Sequence, residues 1–215
     1  MLKKLFALLI SIGLATAANA MDKKKFLTEV EAYMNAITDI KGDFTQRSSN
    51  GVEDGGTFII SRPGRMRLEY KSPMLLVADG ESLVYFDKKL DQISYISLAS
   101  NPASVILSGK ISLTGEDPNI VVKDVKDGTS AGTAEIEMSL QNERQSGVIT
   151  FIFGTKPMVL QGWRVRDPQG VVTEVELKSI KPATSSDLAA SNFRINRTGG
   201  VGGGRRSGGS GSRYY

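Results

Sequence analysis

Residues 55–92 read GGTFIISRPGRMRLEYKSPMLLVADGESLVYFDKKLDQ. Within them Met66, Leu68 and Tyr70 alternate with Arg65, Arg67 and Glu69. That two-residue period belongs to a strand with one apolar face and one wet face. Pro63-Gly64 breaks the strand before it, over 56–61, and Asp79-Gly80 is a hairpin signal between apolar runs. Further strands are expected at Leu75–Ala78, Ser82–Asp87 and Gln92–Ile96. The block reads as an antiparallel meander.

Outward from this block the pattern changes. Upstream, Phe26, Val30, Tyr33, Ile37 and Ile40 recur at three- and four-residue steps, which predicts an amphipathic helix over 22–40. Asp22 is placed to cap its start. Gly42 is placed to end it, with a strand opening at Phe44–Arg47. Downstream, Ser100-Asn101-Pro102 and Gly109 bracket a short apolar helix at Val105, Ile106 and Leu107. A weaker helical turn falls at Asp117–Asn119. Strands resume at Ile120–Val125, Ala134–Leu140, Val148–Phe153, Leu160–Arg166 and Val171–Ile180. A helical turn at 187–192 and a last strand at Phe193–Ile195 close the pattern. The fold class is mainly β (α+β). About 10–11 strands without a βαβ rhythm form a half-open antiparallel β-barrel, with helices covering the concave face.

The ends and the composition bound the function. Lys3 and Lys4, an apolar run over 5–17 and Ala18-Asn19-Ala20 make a cleavable export signal over 1–20. Residues 21–195 then form one domain, and 196–215 a Gly/Arg/Ser-rich tail that cannot bury enough surface to fold. That tail is read as disordered, or as a tether to an anionic surface. The whole chain carries a net charge of +4, but 21–195 holds 21 basic and 23 acidic residues. A near-neutral body argues against nucleic acid as a partner. There is no cysteine and no histidine. Lipid modification on an N-terminal cysteine, disulfides, histidine triads and most zinc sites drop out. Carboxylate and Ser-Lys chemistry stay formally open, but no serine has a nucleophile-elbow context and no glycine loop lies between strand and helix. The reading is therefore a binding protein, not an enzyme, with no metal and no cofactor.

The inner face of a half-open barrel either packs on helices or encloses a ligand. Its candidates are Tyr33, Ile37, Ile106 and Leu107 from the helices. From the strands come Phe44, Phe58, Met66, Leu68, Tyr70, Leu76, Val84 and Phe86, then Ile136, Met138, Ile149, Phe151 and Trp163. Each one alone reads better as plain core, and the case for a ligand rests on the set, since few helices are available to fill the concavity. Arg62, just before Pro63, is either a strand-end surface arginine or a latch whose planar donors bind backbone carbonyls of a lid helix.

Several of these features, in this order, carry a resemblance. They are the helix ending in Gly42-Asp43-Phe44-Thr45-Gln46, Arg62-Pro63, Ala78-Asp79-Gly80, Tyr85-Phe86-Asp87, Asp91-Gln92 and Phe193. Over residues 26–195 the chain resembles the LolA family of periplasmic lipoprotein carriers. The resemblance implies a half-open barrel lidded by helices. It implies a soluble periplasmic monomer that takes lipoproteins from an inner-membrane lipoprotein-releasing ABC transporter and passes them to an outer-membrane acceptor. It matches Arg62 to a latch and Val105–Leu107 to part of the lid. Where the family often has aromatics after the Arg-Pro break, this chain has Met66 and Leu68. Alternative readings on the same half-barrel are an envelope sensor and a carrier of other lipids or glycolipids.

Overall fold

The computed structural model describes residues 21–101, 104–141 and 147–195. The expected export signal, Pro102 and the expected C-terminal tail lie outside them. Asp22 accepts a hydrogen bond from the Lys25 N–H at 3.1 Å and starts helix α1, Lys23–Ala36, as a side-chain cap should. The helix stops short of Ile40, the expected end. Ile37 is already extended, and its N–H closes back on the Tyr33 carbonyl. Ile37, Thr38 and Ile40 are β-branched and favour a pleated strand over a helix. Gly42 therefore does not end the helix. It sits inside β1 (Asp39–Ser48), where the pairing with the last strand shifts register. A Cβ there would stand 2.5 Å from the Lys178 carbonyl oxygen and 2.9 Å from the Phe58 ring, so the position requires glycine.

The remaining strands are β2 (Glu53–Ser61), β3 (Arg65–Tyr70), β4 (Met74–Asp79), β5 (Ser82–Asp87), β6 (Gln92–Ser97), β7 (Ile120–Asp127), β8 (Thr133–Leu140), β9 (Val148–Thr155), β10 (Met158–Arg166) and β11 (Val172–Pro182). They make one antiparallel sheet of 11 strands in the order β6-β5-β4-β3-β2-β1-β11-β10-β9-β8-β7. The first and last strands meet in the middle, with Phe44 opposite Leu177. Hairpins run outward from them on both sides. β6 and β7 are left as the two edges, so the barrel is not closed. It does curl: residues of β3–β5 and of β8–β10 belong to one buried cluster on the inner face.

Two expected pieces, one helical and one a strand, take other forms. Val105–Leu107 are buried turn residues. Leu107 N–H bonds the Ser104 carbonyl and Ser108 N–H that of Val105. These are three-residue steps, because a handful of residues with two β-branched members cannot sustain an α-helix. α1 is thus the only α-helix among the described residues, and the rest of the cover is irregular chain over 98–101 and 104–119. Near the C-terminus the last strand is absent. Phe193 instead ends a 3₁₀ helix, Ala190–Phe193. Its ring packs on the outer face with Leu75, Val77 and Phe86.

Candidate functional site

The turn between β2 and β3 is where the helix and the irregular cover meet. Arg62 is buried, and its Nη2 donates to the Met34 carbonyl. That carbonyl lies in the last turn of α1, where oxygens have no partner within the helix and a cation suits the dipole. Nε and Nη1 of Arg62 are buried without a hydrogen-bond partner. Burial pushes the guanidinium pKa down while Asp39 holds it up, and it stays charged. Two residues on, Gly64 N–H donates to the Leu107 carbonyl at 2.8 Å. Arg62 thus binds the end of α1 rather than Val105–Leu107, and its own turn holds the latter.

α1 also binds the cover directly. Asn35 Nδ2 donates to the Ile111 carbonyl and Asn35 Oδ1 accepts from the Ile111 N–H, both at 2.9 Å. Glu31 Oε1 accepts from the Leu113 and Thr114 N–H groups and from the Thr114 and Ser112 hydroxyls. Burial would raise the Glu31 carboxyl, but these donors outweigh it and hold it below the ordinary glutamate value. Sequence reading missed this stitch, because Asn35 and Glu31 look like solvated helix positions.

Under the cover the inner face divides. Beneath α1, Ile136, Met138, Ile149, Phe151 and Phe153 are fully buried. Phe153 meets Phe26 and Tyr33 edge-on, with centroids 6.4 and 6.2 Å away. That half is filled. On the other side a cavity of about 510 Å³ opens between β3–β6 and the β10–β11 hairpin. Such a volume suits a ligand of modest size. Met66, Leu68, Leu76, Leu83, Trp163 and Val175 give it apolar walls, and Ile106 of the cover lines it as well. Gln46, Tyr70, Tyr85 and Asp167 bring polar atoms. Tyr70 donates to Gln46 Oε1 at 2.8 Å. Burial pushes both phenols up, with Tyr85 and Asp54 adding to it at Tyr70, so neither ionises near neutral pH.

Of the residues expected on the inner face, Met66, Leu68, Tyr70, Leu76, Ile106 and Trp163 line this cavity. Tyr33, Ile37, Phe44, Phe58, Leu107, Ile136, Met138, Ile149 and Phe151 belong to the surrounding core without lining it. Val84 and Phe86 are corrections. They point outward, Phe86 into the cluster with Phe193 and Val84 into a groove with Tyr95 and Ile195. All four of Leu83–Phe86 are apolar or aromatic, so a two-residue period cannot assign their faces. The inner pair is Leu83 and Tyr85. No group of three or more acidic, histidine or cysteine side chains that could hold a metal occurs among the described residues.

A profile of the family described as outer membrane lipoprotein carrier protein LolA matches residues 35–196. The chain belongs to the LolA family. An outer-membrane lipoprotein carrier protein of Ralstonia nicotianae is 29% identical over 205 residues, covering 87% of this chain and 91% of its own. One of Cupriavidus necator is 30% identical over 181 residues, covering 78% and 82%. A solved LolA superfamily protein from Nitrosomonas europaea covers 79% of this chain and 97% of its own, at 9% identity and a TM-score of 0.41. That last likeness is too weak to add to the assignment. Among the described residues of this LolA-family chain, no helix is long and apolar enough to cross a membrane.

Proposed function

We propose that this protein is a periplasmic, non-enzymatic carrier. It buries the acyl chains of lipoproteins released from the inner membrane by an ABC transporter and delivers them to an acceptor at the outer membrane. The observation that carries the reading is the unfilled half of the inner face, an apolar cavity walled by β3–β6 and β10–β11 and roofed by Ile106. Each methylene moved from water into such a cavity is worth about 0.8 kcal/mol, so a covered groove can hold chains that a flat surface cannot. The names of the relatives in Ralstonia and Cupriavidus point the same way.

Loading requires the cover over 104–119 to move, a two-state step biased by cargo. The Arg62 latch is suited to that step. It makes one bond to α1 while two of its donors stay buried and unpaired, which costs the closed state free energy. The test is mass spectrometry of what co-purifies with the mature protein from envelope extracts, for wild type and Arg62→Leu. The expected result is triacylated lipoprotein on the wild type and an excess trapped on the variant. A protein that comes out empty and binds no hydrophobic dye would overturn the reading.

A further inference from the structure

The two edges of the sheet are built differently. β7 spans Ile120–Asp127 and carries Lys123, Asp124, Lys126 and Asp127. Its pairing with β8 shifts register between Val122 and Asp124, and Lys23 of α1 reaches Asp124 at 3.2 Å. Charges, a bulge and a covering element are the usual protections of a free edge. Among the described residues β6 has none of them. Gln92-Ile93-Ser94-Tyr95-Ile96-Ser97 holds no charge and no proline. It pairs with β5 in unbroken register from Gln92↔Asp87 to Ser97↔Ser82. Tyr95 is 69% exposed and Ile96 41%.

The bare edge is also the rim of the cavity. Ile96 belongs to β6 and lines the cavity beside Ser100 and Asn101. On the carrier reading, the polypeptide attached to an acyl chain held inside would pass this rim on its way out. A carrier that serves many lipoproteins has no common side-chain pattern to read in that polypeptide. The backbone is what all of them share, and adding a strand to an edge reads backbone.

We propose that β6 is a strand-addition site for the extended peptide that follows the acylated residue of the cargo. The inference rests on the carrier reading above and deepens it. The cavity takes the lipid and the edge takes the first residues of the polypeptide, with Tyr95 and Ile96 flanking the added strand on the outer and inner faces. The open row of N–H and C=O groups along six residues is about 20 Å long and fits a peptide of about that many residues.

The test uses the full mature chain and three probes. These are palmitate, a palmitoylated eight-residue peptide, and the same lipopeptide N-methylated at alternate residues to remove its pairing donors. The lipopeptide is expected to bind on the order of tenfold tighter than its N-methylated form, as a few lost hydrogen bonds imply. Amide hydrogen exchange is expected to slow over 92–97 with the unmodified lipopeptide only, and to stay unchanged over 120–127. Equal affinity of the two lipopeptides with unchanged exchange over 92–97 would overturn the strand-addition site while leaving the cavity. Failure of all three probes to bind would overturn the carrier reading and this inference with it.

Discussion

Two halves of one inner face behave differently. Under β8 and β9 the face is packed to completion by α1, and under β3–β6 it is left as a cavity. The same alternation of apolar residues builds both. The difference is reach. Eleven strands at about 4.8 Å spacing make a sheet about 48 Å across. A 14-residue helix is about 21 Å long and about 10 Å thick. One such helix cannot cover the sheet. What it covers becomes core, and what it leaves is roofed by irregular chain. The cover over 104–119 fits that description, since backbone groups of Ile111, Leu113 and Thr114 are held by helix side chains rather than by a helix of their own.

The comparison can be broken by substitution. The largest effect is expected at Phe151→Ala, in the filled half. It should cost about 3–5 kcal/mol in urea denaturation and leave dye binding per folded molecule unchanged. Leu83→Ala, in the open half, should cost nearer 2 kcal/mol, the low end for a leucine with free space beside it. It should change dye affinity clearly. If the two variants lost stability alike and neither altered dye binding, the division of the face would be wrong.

Glu31 sharpens the same contrast through pH. Its carboxyl lies below the ordinary glutamate value because the donors of Ser112–Thr114 outweigh its burial. Its stabilisation is therefore complete above about pH 4.3 and lost as pH falls through its lowered folded value. The protection factors of the Leu113 and Thr114 amides, each rate taken relative to its intrinsic rate at that pH, should fall over that acid range, and those of the filled half should not respond. Glu31→Gln should exchange faster at neutral pH and lose this part of the pH dependence. The smallest effect, about 1 kcal/mol, is expected for Asp22→Ala, which removes the cap of α1. Thermal denaturation should show the loss without a change in dye affinity.

Much of the fold was legible because period-2 runs bounded by glycine, proline and Asp-Gly signals are local properties. β3 falls where its alternation places it and β5 where the Asp79-Gly80 turn brackets it, and Asp22 caps the helix it was expected to cap. The failures are places where local pattern competes with distant partners. Ile37 and Ile40 fit a helical stripe, yet β-branching and pairing with β2 and β11 draw that stretch toward the strand. Val84 and Phe86 look inward until Phe193, more than a hundred residues away, supplies an outer cluster. Arg62 was legible as a residue apart, but its partner, the Met34 carbonyl, is fixed only by how α1 lies on the sheet. The cavity could be expected from the shortage of helices, but which residues line it could not.

The chain has a single tryptophan, and Trp163 lines the open half. The most direct test is therefore quenching of its fluorescence by acyl chains brominated along their length, with unbrominated chains as control. The account predicts strong quenching that saturates with binding. Binding measured by equilibrium dialysis without any quenching would place the acyl chains elsewhere and contradict it.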